Sequence, residues 1–201
     1  MPEKPPSCQT EMKSEIFINI HAVIPFSRIN GPGQRMVVFF QGCERNCPGC
    51  FNPSTHPQNI VKLYTPEEIF ENYLSPGVEG ITVSGGEPFL QPEGLYGLLK
   101  AAKKRGLTTV VYTGFRYGEL AENGRLKMVF PFTDVLVDGG FDMVMIEPTL
   151  LARGSTNQRI YFLSGVYKMA DFYMPGKLEV IIGKDGRVVE TGFSNIIEHI
   201  H

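Results

Sequence analysis

No segment of this 201-residue chain approaches the roughly 18 consecutive apolar residues that a membrane span requires. The amino-terminal stretch MPEKPPSCQTEMKSE lacks the apolar core of a signal peptide. The expectation is a cytoplasmic protein that does not engage a membrane. Broad positive charge is also missing: the net charge is −2, and no Lys/Arg stripe is present to neutralise phosphates, so nucleic acid is not an expected partner. Lys100, Lys103, Lys104 and Arg105 read instead as the wet face of a helix. Internal repeats and low-complexity tracts are absent. Cysteine is scarce, and three of the four cysteines fall within eight residues, which without an export signal favours a metal site over a disulfide framework. With 42% hydrophobic and 20% charged residues, the chain can bury one sizeable core but is short for two enzymatic domains. Residues 1–14, polar and Pro-containing, are expected to be a disordered lead-in, and residues 15–201 a single domain. Cys8, in that lead-in, reads as a spare reduced thiol, with a fourth-ligand role as the alternative.

What is present alternates. Ile16 to Ile24 is a first apolar stretch, and Pro25 to Gln34 a loop around Asn30-Gly31-Pro32-Gly33. Met36-Val37-Val38-Phe39-Phe40 is a continuous apolar run suited to a buried parallel strand. Thr65-Pro66-Glu67-Glu68 carries an N-cap, a proline at the first helical position and early acids, predicting a helix to about Tyr73. Strands are predicted at Gly80–Ser84, Leu107–Tyr112, Asp134–Val137 and Leu178–Ile182. Helices are predicted at Pro92–Arg105, stopped by Gly106, and at roughly Tyr117–Asn123. This spacing predicts an α/β fold with a mostly parallel sheet. The cysteine loop, Ser84 to Pro88, Thr113-Gly114 and Asp138 to Asp142 each follow a strand, and in parallel α/β folds that rim is where ligands bind.

The chemistry is concentrated in Gly42-Cys43-Glu44-Arg45-Asn46-Cys47-Pro48-Gly49-Cys50. Three thiolates on one short loop can ligate three corners of a four-iron cluster. Clusters that only carry electrons are normally closed by four cysteines, so three leave one iron open to a small molecule. The competing reading is a zinc knuckle on Cys43, Cys47, Cys50 and His56. Gly85-Gly86-Glu87-Pro88 after a strand offers unhindered backbone, with Glu87 as a negative group for a cationic amine; alone it is a plausible βα turn. Gly49 beside Cys50 lets backbone approach a bound ligand.

The Cys43-x3-Cys47-x2-Cys50 spacing and the Gly85-Gly86-Glu87-Pro88 segment resemble the radical S-adenosylmethionine (SAM) superfamily. Four further segments narrow the match: Asn30 to Arg35, Cys47 to Thr55, Asp134 to Gly139, and Arg153 to Arg159. With them the chain resembles the activating proteins of anaerobic ribonucleoside-triphosphate reductase, over roughly residues 16 to 184. The resemblance implies a partial (β/α) barrel, a 4Fe-4S cluster on Cys43, Cys47 and Cys50, and SAM chelating the open iron. It implies a 5′-deoxyadenosyl radical and a glycyl radical generated on a partner, anaerobic ribonucleotide reductase, with a reducing donor such as flavodoxin or ferredoxin. The cofactor contacts it suggests are Gly49, Phe51, Gly85, Gly86, Glu87, Thr113 and Asp138. Two departures stand out. Asn30 replaces a common aspartate, and Gly49 replaces an aromatic that Phe51 could supply from the other side of Cys50.

Other readings stay open. The same chemistry suits an activator of another glycyl-radical enzyme or an enzyme acting on a small molecule; a non-catalytic zinc or iron–sulfur module is the alternative of a different class. Gly31-Pro32-Gly33 is a tight turn or part of the site lining. Asp138 is a turn aspartate or a cofactor contact, and Tyr112 a core residue or a wall of the nucleoside site. The Arg153 to Arg159 segment is a solvated loop, a pocket cover or a partner grip. His199 and His201 are surface residues.

Overall fold

The computed structural model describes residues 15–182, 186 and 188–193. The expected lead-in at 1–14, Cys8, His199 and His201 lie outside the described residues.

The main sheet has seven strands: β1 (Ile18–Ser27), β2 (Arg35–Phe40), β3 (Lys62–Tyr64), β4 (Gly80–Gly85), β5 (Thr108–Tyr112), β6 (Val135–Asp138) and β7 (Arg159–Phe162). Their spatial order is β3-β1-β2-β4-β5-β6-β7. The four central strands β2, β4, β5 and β6 are parallel, in the registers Arg35↔Gly80, Gly80↔Thr108 and Val110↔Val135. Antiparallel strands flank them: β1 against β2, β3 against β1, and β7 against β6. Among the described residues, β3 and β7 have no strand on their outer sides, so the sheet is open there. The α/β class and mostly parallel sheet match the expectation.

Each central strand is buried on both faces, which is why it reads as an unbroken apolar run. Side chains alternate between two cores. Met36, Val38, Phe40, Ile81, Val83, Val111 and Leu136 face the helices α1 (Pro66–Tyr73) and α2 (Pro92–Lys104). Val110, Val135 and Val137 face the other way, onto Leu151, Ala152, Phe172 and Met174. Helices outside and a ligand-sized space inside are the layout of an unclosed (β/α) barrel.

Local signals act as expected. Thr65 caps α1, accepting from Glu68 N while Glu68 Oε2 accepts from Thr65 N, a complete capping box. α2 ends before Gly106, whose φ of +73° suits glycine. Lys103, expected on a wet face, instead pairs with Asp134 and ties α2 to the start of β6. Leu178–Ile182 is a strand, β8, but it lies outside the main sheet and pairs antiparallel with β9 (Val188–Gly192). The six-residue α3 (Tyr117–Glu122) follows β5.

Arg35, at the amino end of β2, is fully buried. Its Nε donates to Thr82 Oγ1 (2.8 Å), its Nη1 to Pro32 O (3.0 Å) and its Nη2 to Ile81 O (2.5 Å) and Thr108 O (3.2 Å). Tyr167 OH accepts from Nη1 (3.3 Å), and the Tyr167 ring centroid lies 6.0 Å from the guanidinium carbon. The side chain thus seals the end of the sheet away from the cysteines. Lysine cannot reproduce this fork. Arg35→Lys is expected to lower unfolding free energy by about 2–5 kcal/mol, since several buried acceptors lose their donors. Urea denaturation checks this, and an unchanged midpoint would contradict it.

Candidate metal and cofactor site

Because the parallel strands share a register, their carboxyl ends form one rim. The cysteine loop leaves β2, Gly86 to Pro88 leaves β4, Thr113-Gly114 leaves β5 and Gly139-Gly140 leaves β6. A cavity of about 1180 Å³, its open mouth included, lies inside this rim. Cys43, Cys47, Cys50, Phe51, His56, Gly85, Gly86, Glu87 and Thr113 all line it. Sequence reasoning named each of these.

The cysteine loop is anchored by backbone. Gly42 N donates to Thr55 O (2.8 Å), Cys43 N to His56 O (3.0 Å), and Glu87 N to Gly42 O (2.8 Å). Asn46, just before the second cysteine, takes a left-handed φ of +46°, and Gly49 one of +67° within the turn closed by Cys50 N donating to Cys47 O (3.2 Å). Burial pushes the Cys43 and Cys50 thiols above their ordinary range. Metal coordination would replace those protons. Close-spaced thiols half-sheltered on a cavity wall fit an iron–sulfur cluster by donor chemistry.

Gly85 and Gly86 are required by packing. Gly85, at φ +101°, leaves a Cβ only 2.6 Å from Phe40 N, and a Cβ on Gly86 would overlap the Gly42 carbonyl. Glu87, expected as a negative group for a cationic amine, lines the cavity but is only 2% exposed, its oxygens held by the rim itself. Its Oε1 accepts from Phe89 N (3.1 Å) and Thr113 Oγ1 (2.8 Å), and its Oε2 from Gly114 N (2.8 Å). Arg45, from the cysteine loop, places Nε 3.8 Å from Oε2 and stacks its guanidinium 4.2 Å from the Phe115 centroid. Glu87 therefore joins the ends of β4 and β5 and the cysteine loop.

Burial raises the Glu87 carboxyl despite these donors. With its folded pKa above the unfolded value, the native state holds the proton longer. Its contribution to stability is full below the unfolded pKa and is lost as pH rises through the folded one. Glu87→Gln is expected to remove that slope. It should also cost about 1–3 kcal/mol at neutral pH, because one amide N–H must face the Gly114 or Thr113 donor. Melting curves across pH check this; a variant as stable as the parent, with the same slope, would contradict it.

Two expected contacts do not line the cavity. Gly49 packs against Met143, with space for a Cβ only 3.2 Å away. Asp138 is buried, with Oδ2 accepting from Tyr117 N (2.7 Å) and Oδ1 from Arg159 N (3.3 Å), so it fastens α3 and β7 to the rim. Gly31 and Gly33 turn the loop beside Arg35 and Glu79 without reaching the cavity, whereas Asn30 lines it. Tyr112 lines it too, its OH donating to Ala152 O (2.8 Å). The Arg153 to Arg159 segment contributes Gly154 and Gln158 to the wall, and Arg153 pairs with Glu147 (2.6 Å). Sequence reasoning missed Phe141, Leu178 and the residues Glu190 to Phe193. Phe141 carried a usable signal, since it sits in the rim segment after β6; the hairpin residues carried none.

Comparison with known proteins agrees with this geometry. The 4Fe-4S single cluster domain family matches residues 29–161. The anaerobic ribonucleoside-triphosphate reductase-activating protein of Escherichia coli K12 is 34% identical over 156 residues, 73% of this chain and 99% of the relative. That of Enterobacteria phage T4 is 32% identical over 160 residues, covering 75% and 99%. The pyruvate formate-lyase-activating enzyme of Clostridium pasteurianum is 41% identical over 110 residues, covering 51% and 46%. The cysteine rim and the matched family model thus place the chain among the 4Fe-4S single cluster proteins. Within that class, the chain belongs to the family of the anaerobic ribonucleoside-triphosphate reductase-activating proteins.

Proposed function

We propose that this chain activates a glycyl-radical enzyme, anaerobic ribonucleotide reductase, using a 4Fe-4S cluster held by Cys43, Cys47 and Cys50 with SAM beside it. The observation that carries the reading is that the three thiols and Gly85 to Glu87 open onto one cavity. A 4Fe-4S cluster held by Cys43, Cys47 and Cys50, with SAM beside it, would supply one-electron chemistry for removing hydrogen from a glycine Cα of the partner.

The chain's own residues bind, orient and exclude water. The cysteine loop presents its thiols from a base fixed by Gly42, Thr55 and His56. Gly85 and Gly86 keep side chains away from the methionine end of SAM, while Glu87 and Thr113 hold the rim in shape. Phe51, packed at a tilt against Phe141 with ring centroids 4.6 Å apart, shields the reacting region from solvent. We place Gly49 and Asp138 one layer behind the cofactor, where they shape the loops that touch it. Reduced thiols of this kind suit the cytoplasm, with a flavodoxin- or ferredoxin-type protein as electron donor.

A zinc knuckle on Cys43, Cys47, Cys50 and His56, which all line the same cavity, is the competing reading, and metal analysis separates the two. The test is to reconstitute the protein anaerobically, reduce it, and add SAM with anaerobic ribonucleotide reductase. We expect about three to four iron per chain, 5′-deoxyadenosine, and a glycyl radical on the partner. A colourless protein with stoichiometric zinc, no sulfide and no 5′-deoxyadenosine would overturn the reading.

A further inference from the structure

The β8–β9 hairpin lies beyond residues 29–161, which the family model matches. Even so, Leu178, Glu190, Thr191 and Gly192 of the hairpin, with Phe193 just after it, line the cavity. Its seat is built from specific contacts. Asn30 Nδ2, buried, donates to Ser27 Oγ (2.8 Å) and to Thr191 Oγ1 (2.9 Å). Phe193 N donates to Lys177 O (2.8 Å), and Arg28 N to Glu179 Oε2 (3.3 Å). Gly192, at φ +132°, lies so close to Lys177 O and Ile29 that no side chain fits there.

This seat brings Phe193 into an aromatic group assembled from four separate segments. Its ring centroid is 5.9 Å from Tyr112 and 6.4 Å from Phe51, the latter pair at 88°, and Phe51 is 4.6 Å from Phe141. All four rings line the cavity, and Phe193 is only half-buried. The cysteines and Gly85 to Glu87 make the polar part of the same wall. A ligand that suits both parts has a polar end and a flat, neutral π-system.

We propose that the hairpin forms the wall for the nucleoside end of SAM, with Phe193 as a stacking side chain for the purine and the Asn30–Thr191 hydrogen bond as the latch that holds it. This rests on the SAM reading above. It adds residues that neither the cysteine motif nor the glycine-rich segment contains.

The test uses the full chain, reconstituted anaerobically, and equilibrium dialysis with SAM, 5′-deoxyadenosine and methionine separately. Phe193→Ala is expected to weaken SAM and 5′-deoxyadenosine by roughly 5- to 150-fold, as for removal of an aromatic stacked on a base. Methionine affinity and iron content should stay at the parent level. Phe193→Leu, which keeps bulk without a π-face, should fall between. Thr191→Val should weaken 5′-deoxyadenosine without touching methionine. Equal affinity of parent and Phe193→Ala for 5′-deoxyadenosine would overturn the inference while leaving the SAM reading intact. So would a parallel loss of methionine binding and iron, which would make the hairpin a support for the fold only. If the parent itself binds neither SAM nor either half, it is the functional reading that fails.

Discussion

Cys47→Ser is expected to abolish 5′-deoxyadenosine formation and to drop iron well below the parent's content, with the fold retained. The reason is chemical. A serine hydroxyl keeps its proton at neutral pH and offers a hard oxygen where iron–sulfur clusters are held by thiolates. Two cysteines remain on the loop, too few to hold the cluster in place. The structural side is mild: Cys47 Sγ lies 3.5 Å from where a Cβ on Gly140 would sit, and a smaller oxygen disturbs nothing there. Far-ultraviolet circular dichroism should therefore match the parent while iron, sulfide and product are lost. A serine variant that cleaves SAM at the parent rate would remove Cys47 from the ligand set.

Gly86→Val is expected to produce the second largest effect, through the cysteine loop before the cofactor. A Cβ at Gly86 overlaps the Gly42 carbonyl, and that same carbonyl accepts from Glu87 N at 2.8 Å. Gly42 directly precedes Cys43, so relieving the overlap moves the first thiol away from the rim. Gly86 N also donates to Phe40 O (2.8 Å), which ties the β4 exit to the β2 exit. Overpacking of this kind costs about 1–3 kcal/mol, and the strain falls on backbone that cannot rotate away. Iron loading should fall together with SAM affinity. Gly114→Ala is the useful contrast, because there the new methyl meets Arg45 Cδ, part of a flexible side chain. Parent-level iron in Gly86→Val, with SAM affinity alone reduced, would mean that the valine acts on the cofactor and not on the loop.

The central strands and the rim could be read from the sequence because their physics is local. Met36 to Phe40 is apolar without a break because both faces are buried, and Thr65 with Glu68 announces a helix start from four residues. The cysteine spacing, Gly85-Gly86-Glu87-Pro88 and Thr113 could be placed on one edge because parallel strands put their exits side by side. Short, exposed strands gave less. Lys62–Tyr64 and Val188–Gly192 carry mixed, largely exposed side chains, so no face pattern marks them. Leu178–Ile182 announced a strand, but nothing in five residues says which sheet it joins. That depends on Asn30 reaching Thr191 across 161 positions of sequence. Glu87 reads from the sequence as a negative group for a cationic amine. Only the fold reveals that Thr113, Gly114 and Phe89 occupy its oxygens. Arg35 was hidden for the same reason, since a cation buried among carbonyls and hydroxyls leaves no trace in composition.

The claim on which the proposed chemistry turns is that the polypeptide leaves one metal corner free. Electron paramagnetic resonance of the anaerobically reduced protein, recorded before and after SAM is added, reads this without a partner enzyme. We expect a reduced-cluster signal whose shape changes on SAM binding, because the added amine and carboxylate would bind an iron that no cysteine occupies. A cluster signal indifferent to saturating SAM, or a protein with no cluster signal and one zinc per chain, would contradict it.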